Sequence, residues 1–214
     1  MNNRCPRAKF HTMMKKKAKI IVLATHNRDK IREFREKIGN SLQLKTLDDY
    51  PDLPEVSEDG NSIRENAYLK ARAVHAFSGL PAIADDTGLE VDALNGAPGI
   101  YSSRFAGENA SYRDNVLLLL ERMNNIPQEQ RSACFRTSIA YVDNQESWDV
   151  EGRVEGRILQ EAKGEGGFGY DPVFFYEPLQ KTFSELDLKE KNRISHRGKA
   201  LDAFIHTLKI KKYL

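Results

Sequence analysis

The stretch Lys19-Ile-Ile-Val-Leu-Ala24 constrains the chain most. It is short, β-branched and apolar on consecutive positions, the pattern of a strand buried on both faces. The polar turn Thr25-His-Asn-Arg-Asp-Lys30 follows and leads into Ile31, Phe34 and Ile38, spaced for one face of a helix that Gly39-Asn40 closes. Strand, short turn and helix N-terminus together make a recurrent anion site. Leu42 to Leu47 alternates like a half-buried strand. Ser62, with Glu65 three residues on, has the form of a capping box. It predicts a helix to about Phe77 with Ile63, Ala67, Ala71 and Val74 on its inner face. Pro81-Ala-Ile-Ala84 predicts a second short strand, ending at Asp85-Asp86-Thr87-Gly88.

Later, Ser111 caps a predicted helix containing Val116 to Leu120, and Phe135–Val142 and Trp148–Ile158 read as paired strands with bends or bulges at Gly152 and Gly156. The loop Gly164–Pro172 is the most glycine-dense. Val173–Tyr176 reads as a strand and Ser195–Leu208 as the last helix. No period of 20–50 residues repeats, which argues against solenoids and propellers. Alternating strands and helices, then a β-rich segment, predict an α/β fold.

Composition matters mainly through its placement. The longest apolar runs are five residues, whereas a bilayer-spanning helix needs roughly 20, so no membrane segment is expected. Cys5 and Cys134 cannot build a disulfide framework, and no CxxC pair points to zinc. A reducing, cytoplasmic setting is expected. Residues 1–19 hold Arg4, Arg7, Lys9, Lys15, Lys16, Lys17 and Lys19 and no acid; removing these seven positives from the net +2 leaves −5 for the rest. An acidic body is a poor platform for nucleic acid, so no stable nucleic-acid partner is expected. The division expected is a basic, poorly ordered extension over residues 1–18 and one domain over 19–214.

The chemistry-bearing residues cluster around the predicted turns. Asn27 and Lys30 straddle a helix start and would add donors around a phosphate; an ordinary turn with a solvent lysine is the alternative. Asp85 and Asp86 fall at the expected C-terminal mouth of a strand, pointing to opposite sides. An acidic loop supplies Glu58 as a third carboxylate. A hard divalent cation such as Mg²⁺ takes a few carboxylates plus substrate phosphates. Lys70 is one helical turn after Asn66, and alone it reads as a solvated helix lysine. Phe168 can stack on an aromatic base while Gly166, Gly167 and Gly169 permit close backbone approach; a hairpin loop with a buried aromatic is the plainer account. Ser195-His196-Arg197 either caps a helix or offers an imidazole and a guanidinium to a ligand. His11, His75 and His206 read as surface or packing residues. No G-x-S-x-G elbow or Cys/His pairing supports a covalent nucleophile.

The order of these segments is specific. Thr25-x-Asn27-x-x-Lys30, Glu65-Asn66-Ala67-x-x-Lys70-Ala71, Ala84-Asp-Asp-Thr-Gly-Leu-Glu-Val-Asp92, Gly96-Ala-Pro-Gly-Ile-Tyr-Ser-x-Arg104, Gly166-Gly-Phe-Gly-Tyr-Asp-Pro172 and Ser195-His-Arg197 follow in sequence. Together they resemble the inosine/xanthosine triphosphate pyrophosphatases, also called non-standard purine nucleoside triphosphatases, over about residues 19–208. The resemblance implies a two-lobed α/β fold with a central mixed sheet flanked by helices, a cleft between the lobes, and a homodimer. It implies Mg²⁺-dependent hydrolysis of ITP, dITP and XTP to the monophosphate and pyrophosphate, cleansing the nucleotide pool. By the same resemblance Thr25, His26, Asn27, Arg28, Asp29 and Lys30 form the phosphate-binding turn, and Lys70 is a second phosphate ligand. Asp86 is the general base and a metal ligand, Glu58 the other metal ligand, and Thr87 a substrate contact. Phe168, Gly169, Tyr170, Asp171, Lys191, His196 and Arg197 form the base and nucleotide pocket. His26 stands where the family has glycine, and Thr87 where it has serine. The alternatives are a related nucleotide pyrophosphatase with another base preference and a nucleotide-sensing binding module whose basic tail contacts RNA.

Overall fold

The computed structural model describes residues 19–40 and 42–214. The expected basic extension, and with it Cys5 and His11, therefore lies outside the described residues. In chain order the elements are β1 (Ile20–Leu23), α1 (Arg28–Ile38), β2 (Gln43–Thr46), α2 (Ile63–Ser78), β3 (Ala82–Val91), β4 (Pro98–Gly99), α3 (Tyr112–Arg122), β5 (Ser132–Val142), β6 (Ser147–Ile158), β7 (Phe174–Tyr176), β8 (Lys181–Thr182), α4 (Leu188–Ile194) and α5 (His196–Ile210). One open mixed sheet runs β2-β1-β3-β5-β6-β7-β8, with β4 on β3. β1 pairs parallel with β2 and β3, and the other pairings are antiparallel. The fold is two-lobed α/β, as the resemblance implied.

The buried β1 run divides by parity. Ile21 and Leu23 pack with Phe34 of α1 and Leu201 and Phe204 of α5, while Val22 and Ala24 pack with Ala67, Ala71 and Val74 of α2. This half is a three-layer lobe. The far halves of β3, β5 and β6, with β7 and α3, close a second core around Leu89, Phe135, Phe174, Phe183 and Leu119. Among the described residues no helix is long and apolar enough to cross a membrane.

Three local expectations change. The strand expected to stop at Asp85 continues to Val91, because β5 pairs with it from Ala82↔Val142 to Val91↔Ala133. The backbone stays satisfied through the polar Asp85-Asp86-Thr87-Gly88 run, so Asp85 and Asp86 sit mid-strand rather than at a mouth. Gly152 and Gly156 are not bulges: both keep ladder register, opposite Thr137 and Ala133. At Gly152 the backbone of His196 and Ala200 presses so close that a Cβ has no room. Glu65 takes the N–H of Asn61 at 2.7 Å instead of that of Ser62, so only the Ser62 half of the capping box forms. His75 Nδ1 donates to Leu80 O at 2.7 Å, His206 is exposed and Cys134 is a buried free thiol.

Candidate active site

The cleft arises where β1 ends and β3 goes on. β1 pairs with β3 only at Ala82 and Ile83, and β4 joins β3 only at Leu89 and Glu90. Between them one backbone edge of β3 faces helices rather than a strand. Lysines fill that edge: Lys70 Nζ donates to the Asp85 carbonyl at 3.0 Å and Lys30 Nζ at 3.5 Å. A cavity of about 540 Å³ opens beside them, within the range of small-molecule sites.

Asp85 and Asp86 face opposite ways, as extended backbone requires. Asp86 lines the cavity; its Oδ1 accepts from Lys70 Nζ at 2.8 Å and its Oδ2 from Asn66 Nδ2 at 3.5 Å. Burial raises its carboxyl above the usual range, more than Lys70 and Lys30 lower it. Glu58 approaches the same ammonium at 2.9 Å. Burial would raise Glu58 too, but Lys70, Lys30 and Arg104 hold it below the ordinary value. Lys70, with three acceptors, is raised against the pull of burial. Asp85 points the other way, accepting from Arg197 Nε at 3.0 Å and Lys30 Nζ at 3.2 Å. These cations hold it far below the carboxylate range despite complete burial.

The structure brings part of the expected turn to the cavity. Thr25, His26, Asn27 and Lys30 line the cavity, whereas Arg28 and Asp29 do not; Arg28 is exposed and Asp29 pairs with Arg32 at 3.3 Å. Asn27 does not present its whole amide to the cleft. Its Oδ1 caps α1, accepting from Asp29 N at 2.9 Å and Lys30 N at 3.2 Å, and its Nδ2 donates to Tyr112 Oη at 2.9 Å. His26 fits without glycine's freedom: the described non-glycine residues with positive φ are Asn95, Gln180 and Lys212. It lies at the rim, 3.5 Å from Asp48.

At the other end Phe168, Gly169, Tyr170, Asp171, Lys191, His196 and Arg197 come together as anticipated. Lys191 Nζ sits 4.3 Å over the Phe168 ring and the Arg197 guanidinium 5.4 Å from it. Asp171 anchors the loop, accepting from Phe168 N at 2.8 Å and Lys191 Nζ at 2.6 Å. Gly167 (φ 72°) lies directly against that carboxylate, where a side chain fails on both conformation and space. His196 stacks on Phe135, centroids 4.4 Å apart, and its Nδ1 has no partner. Burial, then Arg197 and Lys191, push its pKa well below the ordinary value, so the imidazole is neutral. Arg197 also donates to Glu33 at 2.6 Å and to Thr87 Oγ1 at 3.1 Å, so most of its fork is spent inside the protein.

Comparison with known proteins places the chain in one family. A profile of the Ham1 family matches residues 21–207. The chain belongs to the Ham1 family. It is 49% identical over 183 residues to a dITP/XTP pyrophosphatase of Desulforamulus reducens, covering 85% of this chain and 91% of that one. A HAM1 protein structure from Coxiella burnetii superposes with a TM-score of 0.82 at 39% identity, over 89% and 98% of the two chains. The Staphylococcus aureus Ham1 protein gives 0.82 at 38%, over 90% and 100%.

In this Ham1 chain the donor set suits a divalent cation. Glu58 and Asp86 converge on one point, and each keeps a second oxygen with only a long contact: 3.8 Å from Glu58 to Arg104 and 3.5 Å from Asp86 to Asn66. Among the described residues no cluster of three or more His, Cys, Asp or Glu forms a protein cage. Two carboxylates beside a phosphate site are the arrangement Mg²⁺ favours. The sequence reading missed Glu33, Asn66, Tyr112 and Phe135. Glu33 looks like one more charge on a charged helix; only its place one turn from Lys30, on the face of Phe34, marks it as inward.

Proposed function

We propose that this chain hydrolyses non-standard purine nucleoside triphosphates, the ITP, dITP and XTP class, to the monophosphate and pyrophosphate. The observation that carries the reading is the order of groups along one cavity. Lys30, Lys70, Glu58 and Asp86 stand at one end, and Phe168 with a neutral His196 at the other. A triphosphate needs the first end and a purine the second. Membership of the Ham1 family and the activity named for the Desulforamulus reducens relative support the same assignment.

Lys30 and Lys70 neutralise the phosphate chain, and Thr25 and Asn27 border it. Asp86 accepts a proton from a water whose oxygen bonds to the α-phosphorus, as the bond from that phosphorus to the β-phosphate oxygen breaks and pyrophosphate leaves. Its raised pKa makes it a better proton acceptor than a surface aspartate. Mg²⁺ held by Glu58 and Asp86 would supply charge neutralisation of the phosphates. The base stacks on Phe168. His196, neutral, offers one N–H to an edge that carries a 6-oxo acceptor. ATP sets an amino donor there and leaves buried groups unpaired at about 1–3 kcal/mol each. A homodimer acting in the cytoplasm completes the reading, resting on family resemblance; light scattering and fractionation test it.

A screen of nucleoside triphosphates with product analysis decides the matter. ITP and XTP are expected well above ATP and GTP in kcat/KM, with monophosphate and pyrophosphate as products and loss of turnover in EDTA. Comparable efficiency on ATP and ITP overturns the base preference. Tight ITP binding without pyrophosphate release makes the chain a binding module instead.

A further inference from the structure

The sequence motifs account for both ends of the cavity but not for the side chain that joins them. Tyr112 is the first residue of α3, capped by Ser111. Its hydroxyl accepts from Asn27 Nδ2 at 2.9 Å, at the phosphate end. Its ring centroid lies 5.9 Å from that of Phe168, at the base end, with the planes tilted 45°. The residue is 44% exposed and lines the cavity. A large aromatic is thus held open across the cleft, tied at one end and flanked at the other.

The covalent anatomy of a nucleotide decides what passes there. Base and phosphates are joined only through the sugar. With the base on Phe168 and the phosphates at Lys30 and Lys70, the sugar crosses where Tyr112 bridges the two. The hydroxyl is held at the phosphate end by Asn27 while the ring reaches towards Phe168, so the ring face is the part of Tyr112 that lies along the sugar's path. Aromatic faces gain dispersion against such C–H surfaces. We propose that Tyr112 is the sugar wall of the nucleotide cleft, an inference that rests on the nucleotide reading above. A wall that acts through its ring face holds ribose and deoxyribose alike.

Calorimetry with inosine monophosphate, its deoxy form and inorganic tripolyphosphate separates the subsites, since the first two carry sugar and base and the last only the phosphate chain. In Tyr112→Ala the Kd for both monophosphates is expected to rise roughly tenfold. Tyr112→Phe, which keeps the ring, stays within about threefold. Tripolyphosphate changes less than about twofold in either variant. A thermal melt checks that both variants remain folded. Unchanged monophosphate affinity in Tyr112→Ala, or no monophosphate binding to the wild-type chain, overturns the proposal. Equal weakening of tripolyphosphate also overturns it, because Tyr112 then acts on the phosphate turn through Asn27. Pyrophosphate release from ITP by the wild-type chain is measured separately: its absence removes the hydrolase reading and leaves this binding split to stand or fall by itself.

Discussion

Arg197 donates through Nε to Asp85 Oδ2 at 3.0 Å, and both side chains are at most 2% exposed. The neighbouring Asp86 turns into the cavity instead. Two adjacent carboxylates thus have separate surroundings, one neutralising buried cations and the other lining the cavity. Asp85→Asn leaves Arg197 and Lys30 without their shared counter-charge and is expected to cost about 3–5 kcal/mol of stability. Asp86→Asn leaves Lys70 with Glu58 and the Asp85 carbonyl, so the fold should persist while kcat falls by about 10²–10⁴-fold. Urea melts and steady-state turnover of ITP check both. An Asp85→Asn chain as stable as wild type, or an active Asp86→Asn chain, refutes the division.

His196 makes the pH dependence testable. Unfolded histidine binds a proton below about pH 6.5, whereas the buried ring does so only well below that. As pH falls through this window the unfolded state takes up the proton first, and stability is lost on the acid side. One such group gives a slope of about 1.4 kcal/mol per pH unit. His196→Phe keeps a ring against Phe135 and cannot titrate. Between pH 7.5 and 5.0 the variant should gain about 1–2 kcal/mol relative to wild type in paired urea melts. A constant difference across that range would mean the wild-type ring protonates normally.

Much of this fold was legible because local signals and tertiary packing agreed. The Lys19–Ala24 run, the Ser62 and Ser111 caps and the β5–β6 pair declare themselves in sequence. The Asp85–Gly88 segment did not, because polar residues mid-strand mimic a turn; only the facing β5 and the lysines on the free edge explain them. Helix α4 went unread although Asp187 and Glu190 form a full capping box, since seven residues carry too little periodicity. The site was legible as a set of motifs, but not as a network. That Arg197 is tied to Glu33, Asp85 and Thr87 depends on three elements meeting, which spacing along one chain does not encode.

Glu33 tests that network from its least obvious member. Its two oxygens accept from Lys191 at 2.7 Å and Arg197 at 2.6 Å, both inside the protein. Glu33→Gln leaves Lys191 with Asp171 and Arg197 with Asp85 but removes a buried charge-assisted hydrogen bond from each, and is expected to cost about 1.5–3 kcal/mol, with weaker nucleotide binding as the Phe168 loop loosens. Arg153→Gln, which breaks an exposed pair with Glu155, should leave the melting temperature nearly unchanged. If the two variants melt alike, the buried network contributes no more than a surface pair.

Gly152 ties the sheet to the site through backbone alone. It sits in β6 opposite Thr137, and a Cβ there would run into the carbonyl of His196 and the amide of Ala200, atoms of a helix that cannot swing aside as a side chain would. α5 must therefore shift as a body, carrying His196 and Arg197 at its first turn. Overpacking of this kind costs about 1–3 kcal/mol, so Gly152→Ala should lower the melting temperature modestly and leave the chain folded. The functional effect should be the more specific one. Displaced His196 and Arg197 loosen the base end, while Asp86, Lys70 and Glu58, on β3, α2 and the preceding loop, stay in place. KM for ITP should rise several-fold, and affinity for tripolyphosphate should hold. Equal losses for both ligands would show that α5 supports the whole cleft rather than its base end.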